Sequence, residues 1–168
     1  MTAPVKVVFV CLGNICRSPM AERIAERHAG DRPVEWSSVA VTRENQGAGM
    51  DFRAARRLER SGYRGVDHVS RQVTPDDLDA DLLIAMENRH LVHLRKLGAD
   101  DDKLALLTDF DPQAEPGSGV PDPWYGEEAG FDDTLAALEA AMPGIMAHVD
   151  DLLRQRAAAG DDDATTRD

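Results

Sequence analysis

The sequence predicts an α/β fold in three layers, a four-stranded parallel sheet with helices on both of its faces. The first observation is "VKVVFV" at Val5–Val10, a continuous β-branched run that is typical of a strand buried on both faces. The second is the alternation of further apolar runs with helical patterns, which implies parallel strands joined by crossover helices. The third is the length of 168 residues with 42% apolar residues, which suits one domain with a sizeable core.

Four strands and four helices follow in order along the chain. The strands are predicted at Val5–Val10, Val34–Val41, Asp79–Met86 and Lys103–Phe110. The helices are predicted from an N-cap at Ser18, from Asp51 to near Gly62, from Glu87 to Gly98, and from Phe131 to Gln155 with a kink or break at Pro143. Residues 1–158 then form a single domain, and the acidic tail 159–168 is expected to be disordered.

Charge and composition limit the classes of function. The net charge of -12 argues against nucleic-acid binding, which needs a basic surface. No apolar run approaches the ~20 residues of a membrane span, and the N-terminus lacks the pattern of a secretion signal, so a cytoplasmic location is expected. The two cysteines, Cys11 and Cys16, do not form the disulfide framework of a secreted domain. They are either reactive groups or small buried apolar residues.

The loop "CLGNICRS" connects the end of the first strand to the first helix. In parallel sheets ligands bind at this end of the strands, and free N–H groups at a helix N-terminus favour an anion. Gly13 and Asn14 tolerate left-handed conformations, so the loop can turn its amides inward, and Arg17 adds a bidentate donor suited to phosphate. The same positive field favours the thiolate of Cys11, to which Ser18 can donate its hydroxyl. This combination predicts nucleophilic attack on a phosphate ester.

A second motif, "VPDPWYG", offers the acid that such a reaction needs to protonate the leaving oxygen. Asp122 stands between two prolines that would stiffen its presentation. Trp124 and Tyr125 follow, and exposed aromatic side chains there would line a pocket for a flat substrate ring. The alternative is a proline-rich loop whose aromatic side chains fold onto the core.

With C-L-G-N-I-C-R-S-P near its N-terminus and D-P-W-Y-G late in the chain, the sequence resembles the low-molecular-weight protein tyrosine phosphatases over roughly residues 4–156. The resemblance implies the fold of that family and hydrolysis of phosphotyrosine through a phosphocysteine intermediate, with no metal and no other cofactor. It implies that Cys11 is the nucleophile, that Arg17 binds the phosphoryl oxygens, and that Asp122 is the general acid and then the base.

The resemblance also implies the residues around these three. Substrate-binding residues are expected at Leu12, Gly13, Asn14, Ile15, Cys16, Ser18, Glu44, Trp124 and Tyr125. Ser38 and His68 are expected to support the loop, and Cys16 to form a reversible disulfide with Cys11. One segment departs from the family pattern: in "SVAVTRENQG", Glu44 stands where an aromatic residue usually lines the pocket, and Asn45 where His is common.

Three other functions share this fold or this loop. Arsenate reductases with this loop use two further cysteines, and none follows Cys16 here. Protein-arginine phosphatases carry Thr where Ile15 stands and lack the paired aromatic residues after the acid. A phosphopeptide-binding module with weak or no catalysis is the remaining alternative. The expected partner is a phosphotyrosine protein or peptide, with a tyrosine kinase left open, and the chain is expected to be a monomer or a weak dimer.

Overall fold

A computed structural model describes residues 3–165, the last four of them by backbone alone. It contains one sheet of four parallel strands in the order β2-β1-β3-β4. The strands are β1 (Val5–Cys11), β2 (Val34–Ala40), β3 (Leu82–Ala85) and β4 (Leu104–Leu106). The predicted fold class is therefore confirmed, because the sheet is wholly parallel and carries helices on both faces.

Four α-helices cover the sheet: α1 (Arg17–His28), α2 (Phe52–Arg60), α3 (Asn88–Lys96) and α4 (Gly130–Thr165). Helices α1, α2 and α4 pack on one face and α3 packs on the other. Along β1, Val7 and Phe9 face the three-helix side, whereas Val8 and Val10 face α3. This burial on both faces is what the unbroken β-branched run requires.

Three strands are shorter than the sequence predicts, and β2 loses only its last residue because it ends at Ala40. Strand β3 begins three residues late because residues Pro75–Asp79 form a short 3-10 helix before it. Strand β4 ends at Leu106 because Leu107–Phe110 also turn into a 3-10 helix.

Helix α1 begins at Arg17, one residue before the predicted N-cap, and the cap position is Cys16. Ser18 is no cap because its hydroxyl contacts the sulfur of Cys11 instead.

Helix α4 is longer than the sequence predicts. It continues through Pro143, where Gly144 leaves room for the carbonyl of Phe110 to approach the helix backbone. It ends at Thr165 rather than near Gln155, because the alanines that follow favour a helix. The disorder expected for residues 159–168 stays a prediction, and residues 166–168 lie outside the described residues. The domain boundary at residue 158 stays a prediction.

The strand order fixes where a ligand can bind. The chain reverses its direction of winding between β1 and β3, and such a switch point leaves a crevice at the carboxyl ends of the strands. The loop after Cys11 begins at this edge, where the Cys11 carbonyl accepts a hydrogen bond from Val41 N–H at 2.9 Å. Within residues 3–165, no helix has both the length and the apolar character needed to cross a membrane.

Candidate active site

Cys11 is the last residue of β1, and its sulfur is buried at the floor of the crevice. The sulfur accepts a hydrogen bond from the Asn14 N–H at 3.2 Å and lies 2.9 Å from the hydroxyl oxygen of Ser18. That oxygen accepts from Asn14 Nδ2 at 2.8 Å, so its own proton is free to point at the sulfur. The Val39 carbonyl, at 3.4 Å, is a longer alternative. Two donors therefore face the sulfur, which stabilises a thiolate.

Asn14 shapes the loop above the sulfur. Its φ of 57° lies in the left-handed region, which residues other than glycine adopt at a cost in conformational energy. Hydrogen bonds hold its side chain and carbonyl in place. Nδ2 donates to Ser38 Oγ at 2.9 Å, and the carbonyl accepts from Ser70 Oγ at 2.6 Å and from His68 Nε2 at 2.7 Å. Arg71 N–H donates to the amide oxygen at 3.2 Å. These bonds offset the strain and fix the loop.

Behind Asn14, two titratable groups support the network. Ser38 donates to Glu22 Oε2 at 2.6 Å; burial raises the pKa of Glu22, and this hydrogen bond acts in the opposite direction. Burial lowers the pKa of His68, and its bond to the Asn14 carbonyl opposes the shift. A nitrogen facing a carbonyl must carry the proton, so His68 is protonated at Nε2. The two residues that the sequence assigns to loop support thus both contact Asn14.

Arg17 is the first residue of α1, and its side chain is only 1% exposed. One terminal nitrogen, Nη1, donates to Glu87 and to the Val120 carbonyl, the latter at 2.8 Å. The other, Nη2, lies 3.4 Å from Asp122 Oδ2. Burial alone would raise the pKa of Glu87, but hydrogen bonds from Arg17 and Arg89 outweigh it and lower the pKa. Glu87 is therefore an anionic anchor for the guanidinium.

Asp122 immediately precedes a 3-10 turn, Pro123–Tyr125. Its Oδ1 accepts the Trp124 N–H at 3.1 Å, which leaves Oδ2 facing Arg17. Trp124 and Tyr125 are 49% and 77% exposed and pack edge to face, with ring centroids 5.0 Å apart. The aromatic side chains therefore do not fold onto the core, and the alternative reading of this loop is wrong.

A single pocket brings most of the predicted residues together. It is lined by Cys11, Leu12, Gly13, Ile15, Cys16, Arg17, Glu44, Asn45, Asp122, Trp124 and Tyr125. Asn14 and Ser18 are buried and contact the sulfur itself rather than the pocket surface. Within residues 3–165, the N–H groups of Gly13, Ile15 and Cys16 donate to no backbone carbonyl, so they are available to an anion in the loop.

Cys16 behaves differently from Cys11. Burial raises the pKa of its thiol well above the ordinary range, and the nearby Asp51 carboxylate adds to this effect. Cys16 is therefore held as a neutral thiol. Both cysteines are free and buried in the structure, and the disulfide between them stays a prediction.

Four residues that support the site are not predicted from the sequence. Glu87 follows β3, and Glu22, Ser70 and Arg71 belong to segments that only the fold brings to the loop. Glu87 offers one partial clue, since a carboxylate directly after a parallel strand lies at the edge where ligands bind. The other three carry no such clue: Glu22 is a polar residue within α1, and Ser70 and Arg71 belong to an irregular loop.

Comparison with known proteins agrees with this geometry. Residues 6–155 match the family model described as "Low molecular weight phosphotyrosine protein phosphatase". The "Low molecular weight protein-tyrosine phosphatase A" of Mycobacterium tuberculosis is 39% identical over 159 residues, covering 91% of this chain and 96% of that protein. A crystal structure of a protein tyrosine phosphatase from Entamoeba histolytica has a TM-score of 0.79 and 30% identity, covering 88% of this chain and 97% of the other.

A further similar structure belongs to a protein that is described by a different activity. The crystal structure of DARP, a Drosophila arginine phosphatase, has a TM-score of 0.76 and 26% identity, covering 86% of this chain and 97% of the other. The fold is thus shared by proteins described by two phosphatase activities, whereas the family model and the mycobacterial relative both carry the phosphotyrosine description. The chain belongs to the low-molecular-weight phosphotyrosine protein phosphatase family.

Proposed function

We propose that this chain hydrolyses phosphotyrosine in proteins or peptides, with Cys11 as the nucleophile. The observation that carries the proposal is the placement of the Cys11 sulfur in one pocket with Arg17 and Asp122. Membership of a family of cysteine-dependent phosphatases supports the same chemistry.

In the first step, the thiolate of Cys11 attacks phosphorus, and the bond from phosphorus to the tyrosyl oxygen breaks. Asp122, in its protonated form, gives its proton to the departing oxygen, so that tyrosine leaves as a neutral phenol. The free N–H groups of the loop and the guanidinium of Arg17 bind the phosphoryl oxygens and stabilise the charge of the transition state. The product on the protein is phosphocysteine.

In the second step, water attacks the phosphocysteine. Asp122, now a carboxylate, takes a proton from the water, the sulfur–phosphorus bond breaks, and inorganic phosphate leaves. The donors from Ser18 and Asn14, which contact the sulfur, stabilise the thiolate as leaving group. No oxidant, reductant or metal enters the balance of either step.

The pocket walls favour an aromatic ester. Ile15 lines the pocket and offers an apolar surface for a phenyl ring, and the exposed rings of Trp124 and Tyr125 add to it. The second candidate substrate is phosphoarginine, because the structure is similar to that of an arginine phosphatase. A phosphopeptide-binding module with weak catalysis is the third.

Initial rates on matched phosphotyrosine, phosphoserine and phosphoarginine peptides, without metal, test the proposal. Selective turnover of phosphotyrosine that disappears in Cys11→Ser is the expected result. Faster turnover of phosphoarginine would replace the proposal with the second candidate. Binding of phosphopeptide without turnover would replace it with the third.

Four further expectations belong to the same proposal. We expect a cytoplasmic protein that acts on phosphoproteins, works as a monomer or weak dimer, and opposes a tyrosine kinase. Cell fractionation and sedimentation at several concentrations test the first and the third of these. A search for phosphotyrosine proteins that accumulate when the chain is deleted tests the partner.

A further inference from the structure

Glu44 is an acidic residue on the wall of a pocket built to bind an anion. It lines the same pocket as the Cys11 sulfur and Arg17, and its side chain is exposed. Its carboxylate forms no hydrogen bond or ion pair with any residue between 3 and 165 whose side chain is described. Arg43 precedes it in the chain but does not line the pocket.

The segment that carries Glu44 is held against the phosphate-binding loop. Thr42 donates both its N–H and its hydroxyl to the Leu12 carbonyl, at 3.0 and 3.2 Å. Asn45 packs so closely on Gly13 that a Cβ at position 13 would lie 2.6 Å from Asn45 Nδ2. The segment is therefore attached to the phosphate loop, and Glu44 lies at the pocket wall.

The charges around the pocket leave Glu44 without a cation. Of the three acidic groups at the site, Glu87 and Asp122 both pair with Arg17. Arg53, which donates to the Trp124 carbonyl at 3.4 Å, is paired with Asp51 at 3.0 Å. A free carboxylate at this place repels a phosphate dianion, unless the substrate itself brings a positive charge to it.

We infer that Glu44 selects phosphotyrosine substrates that carry lysine or arginine next to the phosphotyrosine. The inference rests on the proposed function, since it assigns a substrate class to the same pocket. The phosphoryl group binds to the loop and Arg17, the ring lies among the apolar side chains, and the flanking ammonium or guanidinium meets the Glu44 carboxylate. The flanking side chain takes no part in the chemistry, so it is bound equally in the ground state and the transition state, and its contribution appears in KM.

The test uses three phosphotyrosine peptides that differ only in the residues on both sides of the phosphotyrosine: lysine, alanine or glutamate. At low ionic strength, kcat/KM for the lysine peptide is expected to exceed that for the glutamate peptide by about fivefold or more, the scale of one exposed ion pair gained and one repulsion avoided. In Glu44→Gln the ratio should fall toward one, and in Glu44→Arg it should invert. Added salt should shrink the preference in the natural sequence.

Because the whole chain is acidic, the matched control is Glu35→Gln, which removes the same charge from an exposed position at the start of β2. This control should retain the full lysine preference. Equal kcat/KM for the three peptides in the natural sequence would overturn the inference, as would a preference that survives Glu44→Gln. Failure of the proposed function looks different, because then no peptide would be turned over in a way that depends on Cys11.

Discussion

Removal of the Glu87 carboxylate tests how Arg17 is positioned. In Glu87→Ala the buried guanidinium keeps its bonds to the Val120 carbonyl and to Asp122 but loses its anionic anchor. A hydrogen bond between charged groups contributes about 1.5–3 kcal/mol, and Glu87 is 27% exposed, which favours the lower part of that range. We expect the free energy of unfolding to fall by about 1.5–2 kcal/mol.

The effect on catalysis should be larger than stability alone would suggest. A guanidinium displaced by about 1 Å can reduce the rate by about 10²-fold, so kcat/KM for a phosphotyrosine peptide is expected to fall about 10- to 100-fold. Urea denaturation gives the stability, and steady-state rates with inhibition by inorganic phosphate give the two functional quantities. Phosphate should bind more weakly, because its main cationic ligand is no longer held in place.

The matched control is Arg89→Ala. Arg89 donates to the same oxygen of Glu87 at 3.1 Å but is 57% exposed, so its loss should cost less than about 1 kcal/mol. Unchanged kcat/KM and tighter phosphate binding in Glu87→Ala would refute the reasoning. Glu87 would then be a competitor of the substrate for Arg17 rather than its anchor.

Three further predictions concern single groups of the site. Asp122→Asn should lower kcat on phosphotyrosine by about 10²–10⁴-fold, and it should lower kcat on a phosphate ester of an acidic phenol far less. Steady-state rates on the two esters measure this difference. An equal loss of kcat on both esters would show that Asp122 is not the general acid. Burial, and then the charge of Arg17, lower the pKa of His90 to about 4, so the unfolded chain binds more protons than the folded one between that value and about 6.5. The free energy of unfolding should therefore fall as pH drops through this window. The variant His90→Asn can still accept the Glu87 N–H, so its free energy of unfolding relative to that of the natural sequence should rise by about 2–3 kcal/mol from pH 7 to pH 4.5 in urea titrations. Parallel pH curves for the two proteins would contradict a neutral His90 imidazole. In Cys11→Ser, iodoacetamide at pH 7 should leave Cys16 unmodified in a mass spectrum, because its pKa is raised; rapid labelling would contradict that environment.

Most of the site residues that the sequence predicts lie in two short segments of the chain, whereas Ser38, Glu44 and His68 are expected only from the family resemblance. Residues 11–18 form one loop, and its position at the end of β1 follows from an apolar run that ends at Cys11. Asp122 and its aromatic neighbours are likewise one short segment between prolines. The spacing of residues within each segment is enough to predict these positions, because each side chain is placed by the residues next to it in the chain.

The parts that the sequence does not predict depend on long-range contacts. Glu87 is 70 residues from Arg17, and Ser70 is 56 residues from Asn14. Both residues reach the site through the order of the strands. This order brings the end of β3, and the loop that contains Ser70, next to the loop after β1. The sequence predicts the end of α4 at Gln155, which is too early for a local reason: alanines follow, and Gly160 is a poor helix former but does not end a helix on its own.

The central claim is that Cys11 carries the phosphoryl group between the two steps. The most direct test uses Asp122→Asn, because this variant should slow the attack of water on the phosphorylated protein. The variant is incubated with a phosphate ester of an acidic phenol and quenched within the first turnover. Mass spectrometry of the digested protein then locates the phosphoryl group. The account predicts phosphate on the peptide that contains Cys11, and none in Cys11→Ser. A quenched protein without phosphate during rapid turnover, or phosphate on another residue, would contradict it.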